Sequence, residues 1–98
     1  MVKPIVRFHP EAYSELDRSV KWYAERSQLV ANTFLDEVVS AINSIQLYPQ
    51  AAQSYGNGCR KHVLKRFPFS IVYRQLNGLI EIVAVAHHRQ KPGFWDNR

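Results

Sequence analysis

Phe69-Ser70-Ile71-Val72-Tyr73-Arg74-Gln75-Leu76-Asn77-Gly78-Leu79-Ile80-Glu81-Ile82-Val83-Ala84-Val85-Ala86-His87, residues 69–87, is the stretch on which the reading of the fold turns. Asn77-Gly78 is the strongest short hairpin-turn signal a sequence offers. Before it, residues 69–74 alternate: Phe69, Ile71 and Tyr73 share one face of a strand, and Ser70, Val72 and Arg74 share the other. After it, Leu79 to about His87 is apolar on both sides apart from Glu81, which marks a central strand. Upstream, His62-Val63-Leu64 with its basic flanks supplies another strand, broken by Phe67-Pro68. On that strand Arg60, His62, Leu64 and Arg66 share a face, and the alternation fits either face of the sheet.

Further upstream the period changes from 2 to 3.6. Ile5-Val6-Arg7-Phe8 is a short β-type run ended by His9-Pro10, and Pro10 suits the first turn of a helix. Ala12, Leu16, Val20 and Tyr23 or Ala24 recur at helical spacing to about Ser27, with Ser14, Asp17, Arg18, Lys21 and Glu25 on the other face. A second helix spans about Leu29 to Leu47. Its broad apolar stripe runs through Ala31, Phe34, Leu35, Val38, Val39, Ile42 and Ile45. Tyr48-Pro49 ends it, because the residue before a proline avoids the helical region. Residues 50–58 read as a loop closing on Gly56-Asn57-Gly58. The element order is therefore β-α-α-β-β-β. This is an α+β fold in which a helix hairpin packs on one face of an antiparallel sheet and leaves the other face partly open.

A length of 98 residues holds one core, so residues 1–98 are read as a single domain. The longest apolar run, Ile82–Ala86, falls far short of the roughly 20 residues of a membrane span. Met1-Val2-Lys3-Pro4 has no apolar stretch of signal-peptide length. The one cysteine, Cys59, has no internal disulfide partner, and a reducing, cytoplasmic setting is the natural reading. The charge is lopsided: residues 1–58 hold five basic and six acidic side chains, whereas residues 59–98 hold eight basic and two acidic ones. All of the net +5 therefore lies in the last forty residues, which suggests a polyanionic or acidic partner over ordinary solubilising charge.

No strong catalytic signature is present: the sequence has no Gly-rich phosphate loop, paired-histidine metal pattern or nucleophile elbow. His87 and His88 are adjacent at a strand end, so their imidazoles point to opposite faces and cannot share a metal ion. No metal and no cofactor is expected. Either histidine could serve as a lone general base, but no orienting carboxylate lies nearby in sequence. The plainer reading packs one at the core edge and solvates the other. Arg60, Lys61, Lys65, Arg66, Arg74, Arg89 and Lys91 could bind phosphates, with Phe67, Phe94 and Trp95 available to stack on bases. The alternatives are a core role for Phe67, a tail-anchor role for Trp95, and an acidic protein segment as the ligand.

The ordered set of pieces resembles the RelE/ParE superfamily of toxins from type II toxin–antitoxin systems, nearest its ParE-like, plasmid-stabilisation branch. It comprises Phe8-His9-Pro10-Glu11-Ala12, Ala31-Asn32-Thr33-Phe34, Tyr48-Pro49, Arg60, and Arg66-Phe67-Pro68-Phe69-Ser70-Ile71-Val72-Tyr73. It closes with Val83-Ala84-Val85-Ala86-His87-His88-Arg89 and Pro92-Gly93-Phe94-Trp95. The resemblance covers essentially the whole chain. It implies a toxin held inactive by a cognate antitoxin in a hetero-oligomer, with either DNA gyrase or ribosome-bound mRNA as the target. Ribonuclease members carry a basic cluster on the sheet and a C-terminal tyrosine. Here Ser70 stands where that branch tends to have arginine, and Phe94-Trp95 where it has tyrosine. Phenylalanine has no proton to exchange.

The leading expectation is thus a ParE-like toxin that inhibits gyrase by binding, using Arg60, Lys61, Arg66, Arg74, Arg89, Lys91 and Trp95 as its contact surface. The enzyme alternative is a ribosome-dependent mRNA endonuclease in which Arg60, Lys61, Arg66 and Arg89 hold phosphate. His87 or His88 would then take the tyrosine's role. A third reading is a non-toxic binding module of the same fold.

Overall fold

The computed structural model describes residues 3–98. Strand β1 (Ile5–Phe8) passes directly into helix α1 (Pro10–Ala24). Helix α2 (Gln28–Leu47) follows, then strands β2 (Gln53–Ser54), β3 (Cys59–Val63), β4 (Phe69–Leu76) and β5 (Leu79–His87). The five strands form one sheet in the order β1-β5-β4-β3-β2.

Local chemistry sets the helix boundaries. His9 is the N-cap of α1: its Nδ1 accepts the Glu11 N–H at 3.1 Å, and Pro10 follows at a position that needs no N–H. Ser27 caps α2 in the same way, its Oγ accepting the Val30 N–H at 3.2 Å. Because Ser27 is extended (φ −163°, ψ 118°), α1 stops at Ala24 rather than near Ser27. No glycine or proline is required at this join.

The expected β-α-α-β-β-β order is present, with two refinements. The short strand β2 lies in the expected 50–58 loop, paired antiparallel to β3. The sheet is also mixed: β2 to β5 form an antiparallel meander, but β1 runs parallel to β5, with Ile5 opposite Leu79 and Phe8 opposite Ile82. The helix hairpin serves as the crossover that a parallel pair requires. Only Gly78 of the Asn77-Gly78 pair takes a positive φ, +68°, as β4 turns into β5.

The alternation on β4 sorts the core into two layers. Phe69, Ile71 and Tyr73 face the helices and pack with Phe34, Val38, Ala41 and Ile45 of α2 and Ala12 of α1. A β-bulge at Val72/Tyr73 leaves Val83 unmatched on β5, since Tyr73 pairs with Ile82 while Val72 pairs with Ala84. The inward phase of β5 therefore shifts: Ile80, Ile82 and Val85 join the helix-side core, while Val83, Ala84 and Ala86 turn to the opposite face. That shift is why β5 reads as apolar on both sides. The opposite face is not open there. Trp95 folds back over it, packing with Cys59, Val72, Val83, Ala84 and Ala86, flanked by Tyr55 and Phe94. Phe67 packs in the helix-side core between Tyr23 and Phe34.

Among the described residues no helix is long and apolar enough to cross a membrane. The orientation of α2 gives a direct test. Phe34→Ala, on the buried side, should lower unfolding free energy by about 4 kcal/mol. Leu35→Ala, one residue on and outward-facing, should change it by less than about 0.5 kcal/mol. Urea denaturation checks both, and equal effects would mean that α2 is rotated.

Candidate functional site

Strand β1 is four residues long and β5 is nine, so β1 covers only the first half of the β5 edge. The pairing stops where the His9 N–H reaches the Ile82 carbonyl at 2.9 Å and the chain turns into α1. Beyond that point the outward backbone groups of β5 need other partners. Side chains supply them. Glu15 Oε1 accepts the Val85 N–H at 3.0 Å, and Gln90 Oε1 accepts the His87 N–H at 2.9 Å. Arg98 donates to the Val83 carbonyl at 3.0 Å and to both carboxylate oxygens of Glu15 at 2.8 and 3.0 Å. Glu15 can be buried on α1 because its charge is paired and its oxygens are occupied.

These caps leave a cleft of about 890 Å³ between α1 and the free half of β5. One wall is the outer face of α1, with Arg18, Ser19 and Trp22 following Glu15. The other is the segment His87–Gln90 together with Pro68, and Tyr23, Phe69 and Val85 complete the lining. Trp22 is 51% exposed and is fixed from one side by Arg26, whose guanidinium lies 3.6 Å from the ring centroid and donates to the Trp22 carbonyl at 2.8 Å.

His87 and His88 diverge as their adjacency requires. His87 sets its ring edge against Phe69, with centroids 4.9 Å apart, and its Nδ1 accepts the Arg89 N–H at 3.0 Å. Burial, then the nearby Arg89 and His88, push its pKa below the usual imidazole value. His87 is therefore neutral at pH 7 and carries its proton on Nε2. Its Nδ1 lone pair is taken by the Arg89 N–H, which leaves the Nε2–H to donate into its surroundings. His88 crosses to the other face, where its Nε2 lies 3.0 Å from Ser70 Oγ. Ser70 is buried, so this contact joins β4 to the 88–98 segment rather than offering a nucleophile to solvent.

The remaining sequence-predicted cations are dispersed. Arg60 turns to the helix side beside Tyr73 and donates to the Ala52 carbonyl at 2.8 Å. Tyr73 Oη donates to the Pro49 carbonyl at 2.7 Å, so the two residues tie down the loop after α2. Lys61 points the opposite way and lies over the Tyr55 ring at 4.7 Å. Arg74 is paired with buried Glu81 at 2.6 Å, and Arg7 holds the other oxygen of that carboxylate at 3.3 Å. Arg66 pairs with Glu37 of α2, which also accepts the backbone N–H groups of Lys65 and Arg66. Lys65 and Lys91 are exposed. Trp95 is only 4% exposed and presents no face to a ligand. Of the proposed catalytic candidates, the cleft brings together His87, His88 and Arg89, and Arg60 and Arg66 do not line it. Sequence reasoning missed Arg18 and Trp22, which stand one turn apart on α1. Their only signal was an aromatic residue at i, i+4 from a cation on an otherwise polar face.

Among the described residues no cluster of histidine, cysteine or carboxylate side chains is arranged to hold a metal ion.

A family model described as the ParE toxin of the type II toxin–antitoxin system parDE matches residues 6–92. The chain belongs to the ParE toxin family. The matched region takes in both helices, the sheet and the cleft. No curated protein matches the sequence. A solved structure of the chromosomal ParDE TA system from P. aeruginosa is similar over 87% of this chain and 96% of that chain, with a TM-score of 0.75 at 22% identity. That likeness supports the ParE fold of two helices on a five-stranded mixed sheet.

The Arg66–Glu37 contact carries a pH signature. Partial burial alone would raise the pKa of Glu37, but the N–H groups of Lys65 and Arg66 and the Arg66 guanidinium outweigh it and hold the carboxyl below its ordinary 4.5. A depressed folded-state pKa gives stability that is present above the unfolded value and is lost as pH falls through the folded one. Glu37→Gln should therefore be less stable than wild type by about 1–2 kcal/mol at pH 7. The difference should shrink as pH falls below 4.5. Urea midpoints at neutral and strongly acidic pH check this, and an unchanged gap would contradict it.

Proposed function

We propose that this ParE-family toxin is neutralised by a cognate antitoxin and inhibits DNA gyrase by binding, without chemistry of its own. The observation that carries the reading is the state of the residues a ribonuclease would need. Arg66 is committed to Glu37, Arg60 to a backbone carbonyl, and adjacent Arg60 and Lys61 lie on opposite faces of the sheet. His87 is neutral with its Nδ1 occupied, and Glu15 has both oxygens held by Arg98. Among the described residues lining the cleft the one carboxylate, Glu15, is thus not free to pair with His87, and Phe94 has no exchangeable proton. A binder needs none of these groups.

Two features support an antitoxin partner. The excess positive charge in the last forty residues suits an acidic segment. In addition, α2 turns Leu35 and Val39, one turn apart, to the exterior. Such residues on the outer side of a packed helix suit an apolar contact with a second chain.

Purified toxin should abolish supercoiling by gyrase in vitro, the cognate antitoxin should restore it, and primer extension on a translated message should show no new cleavage. Normal supercoiling at large toxin excess would overturn the gyrase reading. Cleavage of the message would then assign the ribonuclease activity, and unimpaired growth on induced expression would assign a non-toxic binding module.

A further inference from the structure

We propose that the cleft between α1 and the free half of β5 is a nucleotide-binding site, in which Trp22 stacks on an unpaired base and Arg18 and Arg89 hold its phosphate. The inference does not rest on the identity of the toxin's target. Its starting point is charge. Arg18 and Arg89 both line the cleft, both are exposed, and among the described residues neither guanidinium has an acidic partner. This sets them apart from Arg7, Arg66, Arg74 and Arg98, each of which is neutralised by a carboxylate. The one carboxylate in the lining, Glu15, is itself saturated by Arg98 and the Val85 N–H, so an entering anion meets two free cations and little opposing charge.

An anion alone could be a carboxylate or a phosphate; the rest of the lining decides for a nucleotide. Trp22 offers a half-exposed ring already immobilised by Arg26, so stacking on it sacrifices little side-chain freedom. Base–aromatic stacking combined with nearby cations is the usual way proteins hold unpaired nucleotides. His87, with its proton on Nε2, and the amide N–H₂ of Gln90, whose oxygen is taken by the His87 N–H, supply neutral donors of the kind that read a base edge. An acidic peptide would need the cations but neither the ring nor these donors. The cleft, about 890 Å³, lies within the range of small-ligand sites. The free edge of β5 is a poor template for an added strand, because the Val85 and His87 N–H groups and the Val83 carbonyl are already capped by side chains.

Tryptophan fluorescence reads the site directly, because Trp22 is exposed in the cleft and Trp95 is buried on the far face of the sheet. The full chain would be titrated with single-stranded oligothymidylate, oligouridylate, ATP and polyglutamate at low salt, about 50 mM. The oligonucleotides should quench Trp22. Quenching by ATP at equal affinity would identify a free nucleotide as the source, and tighter binding of either oligomer a DNA or RNA strand. By anisotropy of a labelled oligomer, Trp22→Ala should weaken binding about tenfold. Arg18→Gln and Arg89→Gln should each flatten the salt dependence by about 0.7 log unit per log unit of salt. Lys65→Gln should do neither, and circular dichroism should show all four variants folded. Three outcomes would overturn the site: no oligonucleotide binding at low salt, equal or tighter binding of polyglutamate, or oligonucleotide binding indifferent to all three cleft substitutions.

Discussion

Everything distinctive about this molecule follows from a mismatch in length. A four-residue parallel strand lies against a nine-residue central one, and half of the longer edge is left without a strand. A sheet cannot leave such backbone groups buried and unpaired. The chain meets the requirement with a buried carboxylate from α1 and a guanidinium from the far end of the sequence, Glu15 and Arg98, which satisfy each other as well as β5. Among the described residues no buried side-chain polar atom lacks a partner. The mismatch therefore creates the cleft, and the side-chain caps on Val83, Val85 and His87 make its floor a poor template for an added strand.

The β-bulge next to this region has a second consequence. By shifting the phase of β5 it turns Val83, Ala84 and Ala86 toward the face away from the helices, where Trp95 covers them. The sheet is thus packed on both sides over its central strands. A nucleic acid laid on that second face would have to displace Trp95 and its neighbours. The proposed binding cleft lies instead at the sheet's edge, lined both by α1 and by the basic C-terminal half. The family's toxin role is consistent with a scaffold in which most arginines hold the fold together and two unpaired ones, Arg18 and Arg89, line one cleft.

Much of the fold was legible in the sequence. The alternation of Phe69–Arg74, the Asn77-Gly78 turn and the stripe from Ala31 to Ile45 dictate strand, hairpin and helix through local periodicity alone. Local pattern carries no information about strand direction across a long connection, so the parallel pairing of β1 was not visible. Nor was β2, whose two residues are too few to show a period. The site was less legible. Counting charge located the basic half correctly but could not separate Arg89 from Arg66 and Arg74, because pairing with Glu37 and Glu81 is a tertiary event. Arg18 and Trp22 lie outside the basic half, and they enter the cleft only because α1 packs beside the uncovered half of β5. The family resemblance did what periodicity could not: it fixed the helix pair and the meander as parts of one known toxin architecture, which the family match over residues 6–92 supports.

The most direct test of this organisation is amide hydrogen exchange at Val85, followed by NMR in wild type and in Glu15→Gln. If a side chain stands in for the missing strand, the Val85 amide is protected in wild type although no strand covers it, and the substitution removes that protection selectively. The amides of β4 should stay slow, because the β4–β5 ladder is untouched. Fast exchange at Val85 in wild type, or protection indifferent to Glu15, would mean that the edge is not closed in this way, and the cleft built upon it would lose its foundation.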